Sequence, residues 1–125
     1  MLFDTDVLIW VFRGNREAAK VLERSDQRQV SVVTYMELLQ RSRDRREVKT
    51  VTGFLVDFAF RMVPLTENIG HRAAIYMEEY GLSAAMKMAD AMIAATAVEN
   101  HLPLLTGDRK HYRPISELEL RIFRP

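Results

Sequence analysis

The chain opens on Met1 to Trp10, MLFDTDVLIW, an apolar run with two acids in its middle. Buried carboxylates without partners cost several kcal/mol each, so this stretch cannot be an ordinary core strand. A strand that ends near Asp4, or just past it, delivers Asp4 and Asp6 to the carboxyl edge of a parallel sheet, where open α/β folds keep their sites. Which later residues meet them there decides the chemistry.

Gly14 and Asn15 break the opening pattern, and Arg16 to Ser25 carries Ala19, Val21 and Leu22 at helical spacing, the mark of a short amphipathic helix. Gln29 to Val33, QVSVV, reads as a second strand, and Thr34-Tyr35-Met36-Glu37 follows at once. Thr three residues ahead of Glu is the capping-box pattern. A helix that starts directly after a parallel strand also starts at its carboxyl edge, so Glu37 equally falls on the rim that holds Asp4. Arg43 to Thr50 is polar and reads as a turn; Arg24, Arg28 and the run Arg41 to Arg46 read as a solvated face, with an RNA contact as the alternative. Val51 to Phe60 has the pattern of an apolar helix in which Gly53 implies close packing, since glycine there costs about 1 kcal/mol against alanine. Arg61 to Leu65 is a short strand ended by Pro64. Thr66 then caps a helix through Glu79 with Ile69, Ala73, Ile75 and Tyr76 as its buried stripe, closed by Gly81. His71 on that helix reads as a surface residue.

Ser83 to Asn100, SAAMKMADAMIAATAVEN, is apolar nearly all round and so reads as a buried helix with one acid, Asp90. That carboxylate either caps the helix, if the residues before it form a loop, or meets a cation. Ala89, Ala91, Ala94 and Ala95 suggest a helix brought very close to a neighbouring backbone. Leu104-Leu105-Thr106 is a fourth strand followed directly by Gly107-Asp108, with His111 after them as a packing or loop residue. Leu118 to Phe123 alternates apolar and charged residues as a final edge strand does.

Four acids therefore fall at equivalent places: Asp4 after strand one, Glu37 after strand two, Asp90 in a buried helix, Asp108 after strand four. Two carboxylates about 5 Å apart repel by roughly 3 kcal/mol at an effective dielectric of 20, so such a cluster calls for cations. Oxygen ligands without cysteine or paired histidine select hard ions, Mg²⁺ or Mn²⁺, over zinc. The 18 basic residues nearly balance the 17 acidic ones, but with four acids sequestered around metal the effective charge becomes +5, enough to hold a nucleic acid. The absence of cysteine excludes disulfides and thiolate chemistry, and with no signal-peptide pattern the expected compartment is the cytoplasm. The opening run is too short and too acidic to span a membrane. Its 125 residues suit one domain, 1–125.

Leu2-Phe3-Asp4-Thr5-Asp6-Val7-Leu8, Thr34 to Leu38 (TYMEL), Ala89 to Ala97 (ADAMIAATA) and Leu104 to Tyr112 (LLTGDRKHY) together resemble the four signatures of the PIN domain, most closely in VapC-type toxins of toxin–antitoxin modules. The resemblance covers essentially the whole chain. It implies a three-layer α/β/α sandwich with a small parallel sheet. It also implies a Mg²⁺- or Mn²⁺-dependent endoribonuclease, commonly dimeric and held in check by a VapB-type antitoxin. The family's acidic positions fall on Asp4, Glu37, Asp90 and Asp108, with Thr5 and Thr106 as polar companions and Asp6 as an extra acid.

Hydrolysing RNA needs an activated water and stabilisation of the charge that builds on phosphorus, both within the reach of bound metal ions. Asp4 and Asp90 are then the main ligands, Asp108 a ligand of the same or a second ion, and Glu37 a ligand or water-orienting base. Thr106 holds a carboxylate or a water, and Lys87 and Arg109 are candidate phosphate contacts. Single-stranded loops suit such a site best. Three other classes compete: a metal-dependent phosphatase, which shares the ion chemistry; a receiver-like switch, disfavoured because strand three ends in Pro64-Leu65-Thr66 without an acid; and a non-catalytic binding module. The apolar faces at Val51 to Phe60, Met36 and Leu39 are candidate surfaces for an antitoxin segment or a twin subunit.

Overall fold

A computed structural model describes residues 1–125. Five strands form one sheet in the order β3-β2-β1-β4-β5, every pair parallel. They are β1 (Leu2–Phe3), β2 (Gln29–Ser31), β3 (Arg61–Val63), β4 (Leu104–Thr106) and β5 (Leu120–Ile122). Leu2 of β1 pairs with Gln29 on one side and Leu104 on the other, so the opening residues are the centre of the sheet. Strand alternation then divides the core. Leu2, Val63 and Leu104 face one apolar cluster, and Phe3, Val30 and Leu105 face the other. Both faces are covered by helices, the expected three-layer sandwich.

One layer holds α1 (Thr5–Phe12), α2 (Arg16–Arg24), α3 (Val32–Arg41) and α4 (Arg45–Asp57). On the opposite face α5 (Glu67–Tyr80) lies along α6 (Met88–Glu99), where Ala91, Ala94, Ala95 and Ala97 have no exposed surface, so the small side chains do permit close approach. The short α7 (Arg109–Tyr112) leads towards β5. Arg72 of α5 pairs with Glu99 of α6 and Glu117 of the segment before β5, and Tyr76 also donates to Glu117. No helix is long and apolar enough to cross a membrane.

Several local expectations are corrected. Opening strand and helix meet at Asp4: the strand is only two residues long, and Thr5 to Phe12 is helical because Asp4 caps it, accepting from the Thr5 amide at 2.8 Å. An apolar run this short fits either period, so the cap decided it. Gly14, at φ 79°, ends the turn in a conformation few other residues adopt. Ser31, not Thr34, caps α3, its hydroxyl accepting from the Val33 amide at 3.0 Å. Asp44 starts α4 within the stretch expected to be a turn. A Cβ on Gly53 would meet nothing within 4 Å, so no close packing explains it. Ile75 is half exposed rather than part of the buried stripe. Arg28 is not a free surface cation: its guanidinium donates to the carbonyls of Leu22 and Phe58.

Candidate active site

Leaving β1, the chain moves to β2 and β3 on one side, while β4 and β5 lie on the other. The crevice beyond the carboxyl ends of β1 and β4 is therefore the topological switch point, where parallel sheets bind ligands. Asp4 follows β1 and Asp108 follows β4, so both reach it by connectivity alone. Ser31 starts α3 at the end of β2, which brings Glu37 over the same edge.

A cleft of about 420 Å³ at this edge is lined by Asp4, Asp6, Glu37, Asp90 and Asp108 together with Thr5, Ile9, Gln40 and Arg41. Asp4 is 6% exposed; its Oδ2 accepts from the Thr106 hydroxyl at 2.7 Å. Burial, reinforced by the neighbouring Asp6 charge, pushes its carboxyl up to about 7. Thr106 in turn accepts from the Asp108 amide at 2.9 Å, coupling the first and last acids through one hydroxyl. Asp6 reaches across the switch point: its Oδ2 accepts from the Gly107 amide at 2.9 Å, and a Cβ on Gly107 would sit 2.9 Å from that same oxygen. Only glycine allows this latch. Asp6 Oδ1 is buried with no hydrogen-bond partner, and burial raises its pKa too.

Glu37 is oriented by Thr5, whose hydroxyl lies 2.6 Å from Oε1 and 3.0 Å from the fully buried Thr34 hydroxyl. A carboxylate only accepts, so Thr5 donates to Glu37 and Thr34 donates to Thr5. Asp90 stands in the first turn of α6, which begins at Met88 rather than Ser83; it is half-buried in a buried helix. Both of its expected roles coincide, since Oδ2 accepts from the Lys87 amide at 3.3 Å while the side chain lines the cleft. The hydroxyl of Tyr112, a wholly buried side chain, lies 3.5 Å from Asp90 Oδ1, and burial with the charges of Asp4 and Asp90 keeps it protonated. Asp108 caps α7 through the His111 amide at 3.1 Å and meets His111 Nδ1 at 2.6 Å.

Asp4, Thr5, Asp6, Glu37, Asp90, Thr106 and Asp108 thus come together as one network. Lys87 and Arg109 do not line the cleft; both are exposed beside it. His111, expected as a packing or loop residue, instead lies in α7 beside the acids: one atom each from Asp90, Asp108 and His111 lie within 4.8 Å of one another. The local signal was there, because a residue three beyond an N-capping aspartate returns to its carboxylate. Gln40 and the buried hydroxyl of Tyr112 carry no such signal and are found only from the packing, while Thr34 and Arg41 stand out in the sequence as a helix cap and as part of an arginine run, not as parts of this cleft. A buried carboxylate oxygen without a donor, a second carboxyl pushed up to about 7 and a donor set of carboxylate oxygens with one imidazole at its edge fit a divalent cation.

The family model described as PIN domain matches residues 1–115. Ribonuclease VapC1 of Methanocaldococcus jannaschii is 27% identical over 124 residues, spanning 98% of this chain and 86% of that protein. The solved toxin–antitoxin complex from Klebsiella pneumoniae contains a chain 30% identical to this one, with a TM-score of 0.77 over 94% of this chain and 93% of the other. DNA-bound VapBC from Salmonella typhimurium shares the fold at 16% identity, with a TM-score of 0.82 over 97% and 96% of the two chains. With acids meeting at the switch point of a parallel sheet and a family match that begins at the first strand and runs past α7, the chain belongs to the PIN-domain family.

Proposed function

We propose that the protein is a Mg²⁺- or Mn²⁺-dependent endoribonuclease and the toxin of a toxin–antitoxin pair. The observation that carries this reading is the convergence of Asp4, Glu37, Asp90 and Asp108 on one cleft. Asp4, Asp90 and Asp108 hold the ion or ions, and His111 keeps the Asp108 carboxylate turned to its place. Bound there, a divalent cation supplies a water acidic enough to ionise near neutral pH and a positive charge for the phosphate oxygens. Glu37 would serve as the base that orients an attacking water; Thr5, by holding Oε1, leaves Oε2 for the task. Thr106 fixes the orientation of the Asp4 carboxylate, and Asp6 ties the first turn of α1 to the segment after β4 through Gly107.

Ribonuclease rather than phosphatase is supported by the whole-length similarity to a ribonuclease, VapC1. A VapB-type antitoxin as partner is supported by the 30% identity to a chain of the toxin–antitoxin complex from Klebsiella pneumoniae, with the VapBC complexes of Rickettsia felis and Salmonella typhimurium sharing the fold. Pairing with a second copy is part of the same proposal, and light scattering on the purified protein measures it. Incubating the protein with structured RNA in Mg²⁺ or Mn²⁺, against excess EDTA and beside Asp4→Asn, tests the activity. Discrete cuts that need the metal and vanish in the variant are expected. Cuts that survive in Asp4→Asn would remove the acid cluster from the mechanism, and hydrolysis of phosphomonoesters with intact RNA would make the protein a phosphatase.

A further inference from the structure

Next to the acid cleft lies a second cavity, about 370 Å³, between α1, α3 and α4. Ile9 and Arg41 line both, so the two are adjacent across the wall these residues form. We propose that Arg41 is the phosphate-binding residue that leads a single RNA strand out of the acid cleft into this groove, where Phe12 stacks on a base. The inference rests on the ribonuclease reading and extends it to how substrate is held.

Arg41 stands in the last turn of α3, four residues beyond Glu37 and therefore about 6 Å further along the same helix face. Its side chain is exposed and has no carboxylate partner within 4.0 Å. Arg13, the other cation of the groove, is likewise free of acids and lies over the Trp10 ring at 5.6 Å. Glu47, the groove's single acid, is already engaged by the Arg43 side chain at 2.9 Å. The charge along the path thus runs from five carboxylates, past Arg41 at the junction, to Arg13 in the groove, neither guanidinium being paired with an acid. A phosphodiester chain fits that change: its scissile phosphate meets the metal-loaded acids, and the next phosphate needs a fixed positive partner, which planar guanidinium provides with two parallel donors. Phe12 is 39% exposed, and its ring is braced edge-on against Phe54 at 4.9 Å, so a stacking base meets a surface already immobilised.

The test is binding of a fluorescein-labelled single-stranded RNA, followed by anisotropy in EDTA over a KCl series, with cleavage kinetics in Mn²⁺ alongside. Arg41→Ala is expected to weaken binding about tenfold at low salt and to reduce the slope of log affinity against log salt by about one. In cleavage the loss falls on KM more than on kcat, and Arg41→Lys restores the salt slope. Phe12→Ala is expected to weaken binding by about tenfold with the slope unchanged, because stacking releases no counterions. Both residues are exposed, and circular dichroism melts confirm that the variants are folded. Unaltered binding and slope in Arg41→Ala would overturn the proposal and leave the groove to a protein partner. A loss confined to kcat would overturn it too, making Arg41 a support of the acids. Should the wild type cleave nothing, the ribonuclease reading falls, while Arg41-dependent RNA binding in EDTA still sustains the track and its absence still refutes it.

Discussion

Asp4 holds the largest electrostatic strain of the site, and its consequences are measurable without substrate. The unfolded carboxyl titrates near the model-peptide value of 3.8 and the folded one at about 7. Between those values the folded state keeps a proton that the unfolded state has lost. This group's contribution to metal-free stability is therefore full at acid pH, declines as pH rises through that window and is flat above it. The whole shift corresponds to about 4 kcal/mol. Asp4→Asn removes the charge while keeping an acceptor for the Thr5 amide, so in EDTA the variant is expected to be more stable than the wild type at pH 8 and close to it at pH 4. Urea denaturation at both values decides this, and a difference independent of pH would show that Asp4 is not strained. Magnesium affinity is expected to rise with pH up to about 7, since proton and metal compete for the same oxygens.

Helix starts place most of the functional side chains, Glu37 in the middle of α3 being the exception. Asp4, Ser31 and Asp108 are N-caps of α1, α3 and α7, and Asp90 lies in the first turn of α6. Because Ser31 caps α3, Ser31→Ala is expected to cost about 1 kcal/mol of stability. Thr34→Val leaves that cap in place and instead loosens the Thr5–Glu37 pair, lowering activity about tenfold. Thermal melts beside cleavage rates separate the two effects; the reverse pattern would restore Thr34 as the cap. In α4, Gly53 sits in helical backbone with open space around it, so Gly53→Ala is expected to stabilise by about 0.5–1 kcal/mol and raise Tm by a few degrees. A destabilised variant would reveal a neighbour, such as a second copy, pressed against that face.

At the scale of the whole molecule, five acids held at one edge by the fold are an investment repaid only when a cation binds. Mg²⁺ or Mn²⁺ at a hundred times its dissociation constant is expected to stabilise the protein by about 2.7 kcal/mol. Asp90→Asn should largely abolish that gain; an equal gain in the variant would locate the ion elsewhere. Much of this design was legible beforehand. The acids Asp4, Glu37, Asp90 and Asp108 stood out because each interrupts or follows an apolar segment, where an unpaired charge is costly, and such costs are local properties of the chain. Strands β2 to β5 were equally visible, since short apolar or alternating runs ended by turn residues have few other fates. The sequence by itself thus determined the five strands, most of the helices and which residue types would meet at the sheet's edge, but not α1, α7 or where α4 and α6 begin. It left undecided what depends on competing partners distant along the chain. Thr34 serves Thr5 and not its own helix, and Asp6 latches Gly107, a residue 101 positions away. His111 turns to Asp108, and Arg41 stays free of Glu37 although helical spacing allows that pair. Only the tertiary structure chose the bonds of Thr34 and Asp6, because packing set which partners, distant along the chain, lay within reach.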